Sequence, residues 1–177
     1  ATGTVAINMD PAVPGTIPVF VLRSGDTATG ITVGAPLTVA NSLGLIADAM
    51  ALNNTVTATS GSVTITTNTA KPIDLGSNPG VGTLGLDATE LGQISTAGLF
   101  VGNSLATGMT VSNPVSLANA GTLNFATGGT LAINAALTNT SAGGINLTAN
   151  TMTVGAAVTG VGDINVVTCS GRIVEGA

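Results

Sequence analysis

Eight carboxylates and three cations are the residues of this chain that could do acid–base work. Asp26, Asp48, Asp74, Asp87, Glu90 and Asp163 lie in its body, with Arg23, Lys71 and Arg172 as the cations. A β-helical enzyme acting on acidic polysaccharides needs several such carboxylates converging with a Lys or Arg. Here the acids are dispersed along the chain and fall on different coils. Because there is no His, a Ser-His-Asp relay and a His-ligated metal are excluded. A calcium site needs several carboxylates and carbonyls around one ion, and the Asp-rich nonapeptide of calcium-binding β-rolls is absent. No catalytic, cofactor-binding or metal-binding residue is therefore assigned. Asp48 and Asn150 read as turn residues bonding to their own backbone.

The remaining chemistry is sparse. Cys169 is the single cysteine, so no intrachain disulfide forms; it reads as a small half-buried apolar residue, with an intermolecular disulfide as the alternative. The glycine-rich pieces around Leu84 to Leu86 and "TGVGD" (159–163) read as corners, not phosphate loops. Sequons occur at Asn53, Asn139 and Asn146. The stretch "TVTATSGSVTITT" (55–67) reads as a solvated strand face, with an ice-binding Thr ladder as the alternative.

Composition limits the partners. Only 6% of residues are charged, 2% are aromatic, and the net charge is −5, so no basic stripe exists to neutralise phosphates and nucleic acid is not a partner. No apolar run reaches the roughly 18 to 20 residues that span a bilayer. The beginning, "ATGTVAINMD", has no initiating Met, basic n-region or apolar h-region and reads as a piece of a longer chain.

The elements that hold these residues come from a repeat. "LIADAMALNNTVTA" (45–58) matches "LTANTMTVGAAVTG" (147–160) without a gap, pairing Leu45 with Leu147, Asp48 with Asn150, Met50 with Met152 and Val56 with Val158. "ITVGAPLTVANS" from residue 31 matches "LAINAALTNTSAGG" from residue 131, so one module occurs at 31–58 and at 131–160. Inside it an apolar residue, three small or polar residues and a second apolar residue recur, starting at Val33, Leu52, Val111, Ile133 and Val154. The starts are 19, 59, 22 and 21 residues apart, and the long interval reads as three further units.

Val39, Leu43, Ile46 and Met50 have helical spacing when taken alone, but the matching copy alternates Ile145, Leu147, Met152 and Val154 with period two. Both copies are read as strand. A unit of about 20 residues cannot bury its own apolar face, whereas stacked units share a core. The prediction is an all-β chain, a right-handed parallel β-helix of roughly eight coils at about 4.8 Å each. Residues 1–30 form an atypical coil or cap, 31–168 the repeats and 169–177 an end segment. Inward positions are Val33, Ile46, Met50, Leu52, Val63, Ile65, Ile73, Leu75, Leu84, Val101, Val111, Leu123, Phe125, Ile133, Ile145, Leu147, Val154, Ile164 and Val166. Corner asparagines such as Asn134 are expected to stack. Asp87 and Glu90 have capping-box spacing, which predicts one helical turn over roughly 87–93 packed by Leu86, Leu91 and Ile94.

Residues 63–103 also carry a family likeness. The "IDLG" (73–76), "LGLDATELGQI" (84–94) and "AGLFVGN" (97–103) elements resemble the repeat region of the filamentous haemagglutinin family, large exoproteins exported by bacterial two-partner secretion. The resemblance implies a right-handed parallel β-helix, an extracellular or outer-surface location, and a shaft that presents an adhesin to a host or neighbouring-cell glycan or protein. That family's secretion domain carries Asn-Pro-Asn elements, whereas this chain has only "NPG" (78–80) and "NPV" (113–115), so the likeness is to the shaft. The expected function is a non-enzymatic structural and adhesive segment. A self-assembling subunit of an extracellular filament or sheath, stacked end to end or side by side, is the alternative, and a polysaccharide-cleaving β-helix a third reading.

Overall fold

The computed structural model describes residues 19–25 and 30–175. Strand β1 (Val19–Arg23) comes first, and β2 (Ile31–Val33), β3 (Leu37–Val39) and β4 (Ser42–Ile46) form one coil. β5 (Met50–Leu52) and β6 (Val56–Thr66) form the next. The third holds β7 (Ile73–Gly76), β8 (Leu84–Asp87), the helix α1 (Ala88–Gly92) and β9 (Ile94–Val101). β10 (Gly108–Val111), β11 (Val115–Leu117) and β12 (Ala120–Ala126) follow, then β13 (Thr130–Ile133), β14 (Leu137–Asn139), β15 (Ile145–Val154), β16 (Val158–Gly160) and β17 (Ile164–Glu175). Every strand pairing among the described residues is parallel, and all but that of β7 with β8, both in the third coil, link residues of different coils. The result is a β-solenoid of about 7 turns with coils of ~22 residues.

Three faces run along the rod. On face A the register stacks Phe20, Leu43, Val63, Leu99, Leu123, Ile145 and Ile164 in one file. A second file there holds Leu22, Leu45, Ile65, Val101, Phe125, Leu147 and Val166. Face B carries β2 and β5, then β8, β7, β10, β13 and the later halves of β15 and β17. Face C carries β3 with the first parts of β6 and β9, and separately β11, β14 and β16. Period-two alternation puts the apolar residue of each strand in these files and its Thr, Ser or Asn outside. Each fully buried Leu, Ile, Val or Phe contributes about 1.5–3 kcal/mol relative to exposure.

The stretch from 42 to 52 is strand, as the repeat requires. Met50 and Met152 both lie on face B, and Leu45 and Leu147 share a file on face A. Most predicted inward residues are buried, but Ile46 and Val154 are half-buried and Ile164 and Val166 are exposed. Ile164 and Val166 do occupy inward register positions; no following coil covers them among the described residues. The cap reading of residues 1–30 falls largely outside the described residues, while β1 pairs with β4 as an ordinary coil strand.

The interval from Leu52 to Val111 holds two coils and not the three its length implies. β7 reaches face B at Ile73, and after Gly76 the chain returns across the outside through residues 77–83 and lays β8 beside β7. A Cβ on Gly85 would lie 2.7 Å from Asn78 Cα and Pro79 Cδ, which shows how closely the return loop crosses β8. Leu84–Asp87 is therefore strand and not the corner its glycines imply. The helical turn is present. Asp87 caps it by accepting from Glu90 N at 2.9 Å, and Glu90 Oε2 accepts from Asp87 N at 2.9 Å. Leu86, Leu91 and Ile94 are buried beneath it.

Candidate functional site

The corner between faces A and B in the first coils gathers more polar chemistry than any other described place. Arg23 ends β1 here, Asp48 sits in the corner of the next coil, and Asn68, Thr69 and Lys71 occupy the corner after that. Coil stacking brings together residues about 20 positions apart, which local spacing does not show.

Asp48 is buried, yet both of its oxygens are occupied. Oδ1 accepts from Asn68 N and Thr69 N, each at 2.8 Å, and Oδ2 accepts from Thr69 Oγ1 at 2.6 Å. Lys71 Nζ lies 3.7 Å from Oδ2, and Arg23 Nε donates to Asn68 Oδ1 at 2.8 Å. The turn reading of Asp48 is corrected in one respect: its partners belong to the following coil and not to its own turn. A hydrogen bond to the next coil holds two layers in register, which a local turn bond cannot do.

Burial by itself raises the Asp48 pKa, but the Thr69 hydroxyl, the Thr69 and Asn68 N–H groups and the Lys71 ammonium outweigh it. The carboxyl is thus held below the usual aspartate range. A depressed folded pKa means the unfolded chain takes up the proton first. The stabilisation is therefore complete above the ordinary value of about 3.9 and is lost as pH falls through the folded value. Asp48→Asn should cost about 2 kcal/mol at neutral pH, because an amide nitrogen then faces at least one donor. That difference from the parent should shrink below about pH 4. Urea unfolding of both proteins across the acid range measures it; a difference independent of pH would overturn the assignment.

Beside this corner a cleft of about 190 Å³ is lined by Asp48, Ala49 and Met50 on one side and by the return loop from Asn78 to Thr83 with Gly85 of β8 on the other. The acids do not converge on it. Asp74 accepts from Ser112 Oγ at 2.5 Å, Asp87 and Glu90 are engaged at α1, and Asp163 is exposed on the last coil. Asp26 lies outside the described residues. Among the described residues no three His, Cys, Asp or Glu side chains are grouped to hold a metal, and no helix is long and apolar enough to cross a membrane.

Glu90 does more than its capping-box spacing predicts. Its Oε1 accepts from Leu52 N at 3.0 Å, across 38 residues. Face B has no strand pairing between β5 and β8, and this buried carboxylate spans the break. The only sequence signal was the acid itself, in a strand-rich chain with few charges.

Other polar positions are structural. Asn139 is buried, its Nδ2 donating to Gly121 O at 2.8 Å and Gly143 O at 3.0 Å, so that sequon is a corner pin; the Asn53 sequon is exposed. The asparagine stack lies on face A and not at Asn134: Asn165 Nδ2 donates to Asn146 Oδ1 at 3.0 Å, and Asn146 Nδ2 to Asn124 Oδ1 at 2.8 Å. Thr57 and Thr64 fall on different faces, so residues 55–67 do not form one Thr file. Cys169 is exposed and not half-buried; it lies on β17, which pairs on one side only among the described strands. Thr67 Oγ1 is buried without a partner, whereas Thr127 Oγ1 donates to Ala106 O at 2.9 Å.

Compared with known proteins, the chain matches no family model, no curated protein and no solved structure.

Proposed function

We propose that this chain is a non-enzymatic shaft segment of a bacterial surface or secreted adhesin, a rigid spacer whose sides meet glycans or proteins of host or neighbouring cells. One observation carries the reading: the apolar files of face A run unbroken through the described rod, while Asp48, Asp74, Asp87 and Glu90 are taken up in holding coils and corners together. A polysaccharide-cleaving β-helix needs carboxylates free to meet substrate, and these are engaged. The low charge of the chain and the filamentous haemagglutinin likeness of residues 63–103 add support. An outer-surface or extracellular location goes with it.

A shaft tolerates the loss of a whole coil, whereas a site does not. Thr130 and Thr151 are register partners, so deleting residues 130–150 places Thr151 where Thr130 stood. The shortened chain should fold with the same strand signature, lose about 4.8 Å of length, and leave the adherence of protein-coated beads to cells unchanged. Beads coated with the parent chain that adhere to no cell type or matrix would sink the adhesive reading. Adherence abolished by the deletion, in a chain that still folds, would replace the shaft with a local binding site.

A further inference from the structure

Face B is interrupted between β5 and β8, and the cleft of about 190 Å³ beside the Asp48 corner opens into that interruption. The backbone groups of a strand point alternately to its two edges. On β5 the bonds to β2 run through Ala49 O, which accepts from Ile31 N, and Asn53 N, which donates to Val33 O. Met50 and Leu52 therefore turn their N–H and C=O groups the other way. On β8, Leu84 N donates to Pro72 O on the β7 side, so Gly85 and Asp87 turn theirs toward β5. Glu90 takes up Leu52 N and Asp87 N at one end of the gap. At the other end Met50 and Gly85, both buried, line the cleft, and their N–H and C=O groups there have no strand partner among the described residues. Buried backbone groups of folded proteins are almost always bonded, so these four ask for a partner.

The rest of the wall says what kind. Asn78 and Thr83 line the cleft from the return loop, and neither side chain is hydrogen-bonded among the described residues. Ala49 and the fully exposed Val81 give it apolar side chains. Its ionisable residue, Asp48, has both oxygens engaged, so no free charge selects an ion. A wholly apolar ligand would leave the backbone groups unpaired, at about 1–3 kcal/mol each. The space is smaller than the roughly 300–1,000 Å³ of drug-sized sites, so it suits one compact neutral unit carrying both a donor and an acceptor. We infer that this gap in face B binds the acetamido group of an N-acetylated hexosamine in a neutral glycan. The acetamido N–H and C=O answer the acceptors and donors of the two strand edges, as the amide of an intervening strand would. Its methyl group meets Ala49 and Val81, and the ring hydroxyls meet Asn78 and Thr83. That a glycan supplies the group rests on the adhesive reading proposed above; the slot itself rests on the unpaired edges of β5 and β8.

Amide NMR spectra of the isotope-labelled 177-residue chain, titrated with N-acetylglucosamine, N-acetylgalactosamine and glucose, test the site. The Met50 and Gly85 resonances should move with at least one N-acetyl sugar, with a Kd of about 1 mM, and stay still with glucose. Thr83→Val and Asn78→Ala should each keep the parent's thermal unfolding and weaken binding about tenfold. Both resonances unmoved at about 100 mM of each N-acetyl sugar, a hundredfold above that Kd, would overturn the site. Equal movement with glucose would overturn the acetamido assignment, and so would sugar binding indifferent to both variants. A capped alanine dipeptide that moves the same resonances at lower concentration than any sugar would replace the glycan with a peptide. Specific sugar binding by a chain whose coated beads adhere to nothing would sink the adhesive reading and leave this site standing.

Discussion

Replacing Glu90 by alanine should lower the unfolding free energy by about 4 kcal/mol, since two buried or half-buried backbone donors lose their acceptor at once. Leu52 N and Asp87 N each point at one carboxylate oxygen, at 3.0 and 2.9 Å. No neighbouring strand can take over at Leu52, because β5 and β8 are not paired there. Glu90→Gln keeps the volume but offers one acceptor oxygen and one donor, so about half of the loss is expected. Asp87→Asn keeps the oxygen that can accept from Glu90 N and should cost less than either, as exposed caps are worth about 1 kcal/mol. Urea unfolding of the three variants separates the roles. If Glu90→Ala and Asp87→Asn cost the same, Glu90 is only a cap and the bridge across face B has no energetic weight.

Gly102→Ala should be the second severe change, costing about 4 kcal/mol or preventing folding. Gly102 follows β9 at the corner between faces A and B, where its N–H donates to Ile65 O at 2.8 Å and its φ is +78°. A side chain pays for that conformation by about 1–2 kcal/mol in itself. The greater part comes from contact: a Cβ there would lie 2.2 Å from Ala126 O and 2.8 Å from Met109 Cε. Relief would require the coils above and below to part, and the file through Val101 and Phe125 with them. Gly80→Ala is the control, since its φ is +88° but nothing lies within 4 Å of the added carbon. It should cost about 1 kcal/mol. Thermal unfolding followed by circular dichroism distinguishes the two; equal losses would show that conformation, and not the approach of neighbouring coils, sets the cost.

Much of the fold was legible because a solenoid writes its register into the sequence. Leu45 and Leu147, or Met50 and Met152, match in sequence because each pair holds one inward position on one face, beside apolar residues of the adjoining coil. The capping box at Asp87 and Glu90 was legible for a different reason, its partners being three residues apart. The third coil was not. A chain that returns outside its own face through residues 77–83 preserves strand lengths and apolar residues, so a 59-residue interval looks like whole units of the repeat. The polar corner at Asp48 was hidden likewise. Its partners Asn68, Thr69 and Lys71 are 20 to 23 residues on, and nothing local to Asp48 marks them.

By itself the sequence determined that this chain is a stack of short strands with outward Thr, Ser and Asn, a period near 20 residues and one capped turn. Periodicity and local capping are properties of neighbouring residues, and burial of one face by identical neighbours is the only way such a unit pays its conformational entropy. The tertiary structure alone decided that β8 doubles back beside β7, that Glu90 spans the break this leaves on face B, and that Ile164, Val166 and Ile173 are covered by no other coil among the described residues. Those outcomes depend on which coil lies next to which, and inward and uncovered positions carry the same apolar residues.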